Sequence, residues 1–413
     1  GKRAMADGDE STELESVVER FKTAYLTACE RQDTQPLESL LEQLENANSS
    51  GETFLSIQVR GNTPEHFDSR LKDGDLEAIV GALQASPGVL ITELDLSWNL
   101  IGDDSVAQLC EYLKTDEQIV TVNLAYNEIG ENGAKAIADA LSVNRTIRHL
   151  ILSGNKVGDN GGLALAEMML KNYSLRTAEF GDMDLGHKTL TMLGTVLKNE
   201  ETAGAGSDSN LEVLNIDRPL LFSCKEEAIE HLAMGLRLNV TLRKLSMKKA
   251  DLRDRGCYLL CDNLVLNGCL QELDLSSNKL TEDAGGPLAT LLQNNQGIET
   301  LYLANNQLCD RGCTNLAAAL CSNPQITDLD VAHNRIESDG LLQLASAIQK
   351  HGELCRLRAW GNELEPQSTA ALAYACQHLK TLRDCDILCQ IVDDVPNAVR
   401  KITPESYFVP GKV

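Results

Sequence analysis

The residues of this chain that could carry chemistry are its cysteines and histidines. Cys257 and Cys261, Cys309 and Cys313, and Cys385 and Cys389 are each four positions apart. On a helix each pair would share a face, and two thiolates on one face are half of a tetrahedral metal site. The seven histidines that could complete such a site are dispersed, and only His378 falls near Cys385 and Cys389. No CxxC pair occurs. Cysteine also serves as a small apolar filler, and that reading predicts buried thiols and no metal. His333, beside an asparagine in a turn, reads as a surface histidine. There is no Walker A loop, GxSxG elbow, HExxH or EF-hand loop. The expectation is a chain that is not an enzyme, with no catalytic residues, cofactor or small-molecule substrate. Asn144-Arg145-Thr146 and Asn239-Val240-Thr241 match the glycosylation acceptor, yet each asparagine falls where a repeat wants one, so a structural role explains it.

The composition narrows the partners. A formal net charge of −24 over 413 residues repels phosphate backbones and anionic membranes. No run of about 18 apolar residues could span a bilayer, and no N-terminal signal peptide is visible. Thirteen scattered cysteines then suit free thiols in a reducing, intracellular compartment. Hydrophobic residues make up 43% of the chain but aromatics only 4%, so the core must be filled by Leu, Ile, Val and Ala in many small layers.

Those layers are visible as a repeat. LDLSWNLIGDDSVAQLCEYL from Leu94 returns from Val122, Leu150, Leu273, Leu301, Leu329 and Leu357. An asparagine marks the register at Asn62, Asn99, Asn127, Asn155, Asn278, Asn306, Asn334 and Asn362, with a step of 28 residues inside each of the two blocks beginning at Asn99 and Asn278. Between the blocks, Met183, Pro219 and Ala250 replace it, while AEFGDM, LNIDRP and LSMKKA keep the strand pattern. That makes eleven repeats.

Each part of the repeat has a physical task. The LxL pair enters the core from a short strand while its neighbours face solvent. Asn99, Asn127, Asn155, Asn278, Asn306, Asn334 and Asn362 can satisfy the backbone of the following turn and of the adjacent coil, forming a ladder. Apolar spacing such as Val106, Leu109, Cys110 and Leu113 then predicts a helix. Many helices end at an asparagine (Asn144, Asn172, Asn239, Asn267, Asn323), which reads as a left-handed cap. Strands stack about 4.8 Å apart and helices are about 10 Å across, so the coils fan into a horseshoe. The expected fold is an α/β right-handed solenoid with a concave parallel sheet and convex α-helices.

Residues 1–50 read as an N-terminal helical cap, with Leu14, Val17, Phe21, Tyr25 and Ala28 on one helical face and Leu37, Leu40, Leu41 and Leu44 on a second. Residues 51–376 read as the solenoid, with NEETAGAGSDSN at 199–210 as a loop insertion. Residues 377–413 read as a C-terminal cap, in which Ile387, Leu388, Ile391 and Val392 cover the last coil, followed by an extended tail.

The strand register also lists the concave face. The three outward rows of repeats two to eleven hold eight acids against four bases, so most of the chain's acidity lies elsewhere. Glu272, Asp274, Asp328 and Asp330 form an acidic zone, with Lys244 and Lys248 before it. Arg356, Arg358 and Trp360, with Tyr302 nearby, form a basic, aromatic end. Trp360 adjoins Gly361, which predicts an uncovered indole. Arg and Trp are frequent interface anchors, so this end is the candidate site for another protein.

From Ile57 to Cys376 the repeat resembles the ribonuclease-inhibitor type of leucine-rich repeats, in which a helix fills the convex side. NRTIRHLILSGNKVGDNGG, NIDRPLLF followed by Glu226 and Glu227, and AWGNELE are similar to one intracellular branch of that class, although the tail from Asp393 departs from it. The resemblance implies a non-enzymatic protein-binding scaffold in a large assembly. It further implies a place in the cytoplasm or a ciliary or flagellar axoneme, as in a radial spoke, with a nucleolar, differentiation-related factor as the other reading. An enzyme regulator, either a ribonuclease blocker or a small-GTPase regulator, is the alternative. The low Trp content and the lack of a long acidic tail weigh against it.

Overall fold

A computed structural model describes residues 17–50, 54–62, 70–86, 90–198, 209–221 and 225–401. Twelve strands form one parallel sheet in simple chain order. They are β1 (Phe54–Gln58), β2 (Leu90–Asp95), β3 (Thr121–Asn123), β4 (His149–Ile151), β5 (Thr177–Glu179), β6 (Val213–Asn215), β7 (Lys244–Ser246), β8 (Glu272–Asp274), β9 (Thr300–Tyr302), β10 (Asp328–Asp330), β11 (Arg356–Arg358) and β12 (Asp384–Cys385). The fold is an α/β leucine-rich-repeat solenoid. The central residue of each three-residue strand from β3 to β11, such as Leu150, Leu273 or Leu357, is buried, and the second apolar residue of the pair follows it into the core. The 28-residue step continues one coil further than the eleven repeats read from the sequence. Asp384 and Cys385 pair with Arg356 and Leu357, adding a twelfth strand where a cap was expected.

Helices α1 (Val17–Gln32) and α2 (Glu38–Ser50) precede the sheet, and helices α3 (Asp73–Ala85) to α13 (Pro366–His378) alternate with its strands. On α1 and α2, Phe21, Tyr25, Leu40 and Leu44 are buried, and Leu37 and Leu41 pack partly against the same core. Leu14 and the side chain of Val17 lie outside the described residues, as do 199–208 of the expected loop and the chain beyond 401. Residues 213–250 continue the sheet in register on both sides, so the three repeats without the asparagine do not interrupt it. Met183, Pro219 and Ala250 fill the asparagine's place as buried side chains.

At the marked rungs the asparagines bond as follows. Asn155 donates its amide to the carbonyls of Leu124 and Leu152, one coil apart, and accepts from the N–H groups of Asn127 and Ile129. Asn99, Asn127, Asn278, Asn306 and Asn334 are buried and repeat most of this pattern, while Asn362 does so half-buried. Asn62, at the first register mark, is exposed.

The helix-end asparagines are not left-handed caps. Asn144 has φ −64° and ψ 140°, and none of the five has a positive φ. Instead they form a second ladder on the helix side. Asn172 donates to the carbonyls of Leu141 and Asn144 and accepts from Ser174 and Leu175, and Asn267, Asn295 and Asn323 do the same in their coils. Asn144 and Asn239 are thereby buried, which gives their acceptor sequons a structural function. A third recurrent tie uses carboxylates at helix N-termini. Asp73, Asp103, Asp159, Asp254 and Asp310 each accept from the backbone at the start of the next helix, where the helix dipole favours negative charge. Part of the chain's acidity is placed there.

The chain ends differently from the sequence reading. Ile387 is buried, but Leu388, Ile391 and Val392 are exposed. Strand β13 (Ile387–Val392) pairs antiparallel with β14 (Val395–Arg400) through a turn at Asp393 and Asp394, both with positive φ. The hairpin therefore replaces the extended tail over 395–400, and only its base covers the last coil.

Candidate protein-binding face

The outward residues of β7 to β12 are positioned by strands whose inward neighbours are locked in the core. Their charges form cross-strand pairs rather than separate acidic and basic zones. Lys244 meets Glu272 at 3.0 Å, and Lys248 meets Asp274 at 3.3 Å and Asp217 at 3.9 Å. Arg356 pairs with Asp328, and Arg358 with Asp384. Adjacent strands in register bring residues 28 apart side by side, which is why Lys244 finds Glu272 and Arg356 finds Asp328.

Burial works against the Lys248 charge, but Asp274, Asp217 and Glu179 around it hold its pKa above the ordinary value. Arg358 is likewise opposed by burial and held charged by Asp384, Asp386 and Asp330. Burial pushes the Asp330 carboxyl up to about 6, against the N–H of Ala332, which donates to it at 2.9 Å. Burial, together with Glu272 and Asp328, pushes the Tyr302 phenol to about 12.

Trp360 departs from its expectation. Its ring is half-buried against the core rather than uncovered, and the backbone N–H groups of Ala359 and Trp360 donate to Asp386. Gly361 beside it has φ +80°, and a Cβ there would meet the ring of His333 at 2.1 Å. The exposed His333 thus lies across the backbone next to Trp360. Arg356 remains exposed, Tyr302 half-exposed and Asp330 half-buried, so the nine candidate residues form a continuous but charge-paired surface.

The residue before each ladder position, from Trp98 and Tyr126 through Lys249 and Ser277 to Gly361, has a positive φ. Trp98 and Tyr126 stack there with ring centroids 3.8 Å apart and 14° between planes. Gly154, φ +82°, lets the Tyr126 ring lie flat over the next turn. The signal was available as two rings 28 apart followed by a glycine in the same register.

Among the described residues no three His, Cys, Asp or Glu side chains are grouped to hold a metal ion. Cys257 and Cys261 are buried on one helix with sulfurs 3.8 Å apart. Cys385 and Cys389 lie on strands, not on a helix face, and His378 instead stacks on Tyr374. Nor is any helix, among the described residues, long and apolar enough to cross a membrane.

A leucine-rich-repeat family model matches residues 90–110, 119–138, 143–166, 267–289 and 322–345. The chain carries leucine-rich repeats. The matched segments bracket strands β2, β3, β4, β8 and β10 with their helices, while the degenerate middle repeats fall outside them. Leucine-rich repeat-containing protein 34 from Mus musculus is 33% identical over 105 residues, which are 25% of this chain and 23% of that protein. Its Homo sapiens counterpart is 41% identical over 70 residues, 17% of this chain and 15% of that protein. The aligned segments therefore span less than a quarter of either relative. A solved internalin from Listeria monocytogenes is similar over 92% of this chain and 100% of its own, at 14% identity and a TM-score of 0.46. Leucine-rich repeats are protein-interaction frameworks, and this chain presents the long one-sided sheet that such a framework uses.

Proposed function

We propose that this leucine-rich-repeat chain is a non-enzymatic scaffold that holds another protein against the C-terminal end of its sheet. The observation that carries the reading is the position of Arg356 and Tyr302. They stand on strands either side of β10, Arg356 exposed and ion-paired with the buried Asp328, Tyr302 half-exposed. Arg358, Trp360, Asp274, Asp328, Asp330, Lys244 and Lys248 complete a patch that is rigid before any partner arrives, which lowers the entropic cost of docking. Paired charges of both signs suit a protein with its own alternating charges and disfavour nucleic acid.

The finer reading is a structural place in a ciliary or flagellar axoneme assembly, such as a radial spoke. It is supported by the similarity to leucine-rich repeat-containing protein 34 and extends beyond the aligned segments. Crosslinking in intact ciliated cells, followed by identification of the linked peptides, tests both levels. Partners linked through lysines 244 and 248 support the face. Axonemal proteins among them support the location, and exclusively nucleolar partners sink it.

A further inference from the structure

Among the described cysteines, Cys29, Cys110, Cys257, Cys261 and Cys313 are buried in the core. The last coil differs. Cys376 on α13 and Cys385 on β12 come from different elements, and their sulfurs lie 3.3 Å apart. Both are free thiols. Both line a cavity of about 200 Å³ between α13 and the terminal hairpin. Its walls include the exposed Gln377, Arg383 and Leu388, so solvent reaches it, whereas Cys257 and Cys261 are sealed in the core.

The two sulfurs are not equivalent. The Cys376 thiol donates to the Cys385 sulfur. That bond, joined by the Ile387 N–H and Arg358, outweighs burial and holds Cys385 below the ordinary thiol range. The donor itself is pushed up. Two sulfurs 3.3 Å apart on different elements, the acceptor with the lowered pKa, are placed as an attacking and a resolving cysteine.

We propose that Cys376 and Cys385 are an oxidisable dithiol, a reversible disulfide site that fastens α13 to the last strand of the solenoid. With hydrogen peroxide as oxidant, the Cys385 thiolate attacks one peroxide oxygen and the O–O bond breaks. The departing oxygen takes up a proton and leaves as water, and Cys385 becomes a sulfenic acid. The Cys376 sulfur then attacks that sulfur. The S–S bond forms, the S–O bond breaks, and the hydroxyl leaves as water with the Cys376 proton. Two thiols and one hydrogen peroxide give one disulfide and two waters. The cross-link closes a short loop containing Asp384, which holds Arg358, and lies directly before Asp386, which holds the Ala359 and Trp360 backbone. Oxidation therefore stiffens the terminal coil beneath the candidate face, whether or not a partner docks there.

The test uses the full reduced chain titrated with hydrogen peroxide, with remaining thiols blocked by N-ethylmaleimide and peptides mapped by mass spectrometry. The exposed Cys321 is the internal reference. The expected result is a Cys376–Cys385 linked peptide, two hydrogens lighter, appearing at a lower peroxide dose than Cys321 oxidation and reversed by dithiothreitol. Cys376→Ser should abolish the link and leave a Cys385 sulfenic acid that dimedone captures. Cys321 oxidising first while both thiols stay blockable would overturn the proposal. So would a link from Cys385 to Cys389 in place of Cys376.

Discussion

The backbone N–H of Asn334 donates to the side-chain oxygen of Asn362 at 2.8 Å, one coil further on. The Asn334 amide reaches the other way, to the carbonyl of Leu303 at 2.8 Å. Three consecutive coils are joined through two side chains. A solenoid has only near-neighbour contacts, so ties of this kind carry stability along it.

Removing one rung should therefore cost far more than removing its neighbour. Asn306 is buried, donates to Leu275 and Leu303 and accepts from Leu280. Asn306→Ala leaves those backbone groups unsatisfied, at about 1–3 kcal/mol. Gln307→Ala loses only an exposed bond from Arg335 and should cost a few tenths of that. Urea denaturation of the two variants reads the difference, and equal midpoints would remove the ladder from the account of stability.

The helix-side ladder predicts a matching contrast. Asn267 is buried and donates to Leu236 and Asn239, while Leu266 beside it is 60% exposed. Thermal melts should show Asn267→Ala losing several degrees and Leu266→Ala almost none. If Asn267 served only as a chain terminator, Asn267→Gly would restore the melting temperature. The ladder requires that it does not.

These two ladders mark how far the sequence could be read. Strand positions followed directly from the LxL pairs and the 28-residue step, because a strand side chain has only two directions to point. The second ladder was visible as recurrent asparagines, but a helix-end asparagine has two common roles. The backbone separates them, since none of the five has a positive φ. The concave rows were legible as composition, not as pairs, because which base reaches which acid depends on cross-strand register and side-chain length. The half-burial of Trp360 was not legible because a flanking glycine says nothing about how the ring packs against the core. The twelfth strand was missed because Asp384 and Cys385 carry no LxL pattern, although they keep the spacing.

Asp330 predicts a specific pH dependence. Its carboxyl titrates near 6 in the fold against an ordinary 3.8. Below pH 3.8 both states hold the proton and the group contributes no difference. Between 3.8 and 6 the unfolded chain releases the proton and the fold retains it, so stability falls as pH rises, by up to about 3 kcal/mol. Asp330→Asn keeps the acceptor for the Ala332 N–H and removes the titration. The variant should be more stable than the parent at pH 8 and equal to it near pH 3.5. A constant difference between the two at both pH values would assign the effect to something other than this carboxyl.

Arg356 and Arg358 are two positions apart on one strand, yet they should separate binding from stability. Arg356 is 53% exposed and paired with Asp328 alone, whereas Arg358 is 22% exposed and sits among Asp384, Asp386 and Asp330. Arg358→Gln leaves several carboxylates facing one another without a cation, so the terminal coil should loosen and the melting temperature fall. Any loss of partner recovery in that variant would be confounded by the fold. Arg356→Gln removes a side chain that already faces solvent and keeps a hydrogen-bond donor for the buried Asp328, so the melting temperature should fall less than in Arg358→Gln. Pull-downs with this variant read the surface itself. A clear loss of partner from Arg356→Gln, with circular dichroism unaltered, supports docking at this end of the sheet. Undiminished recovery from Arg356→Gln together with loss from Trp98→Ala would move the binding site to the stacked rings at the opposite end.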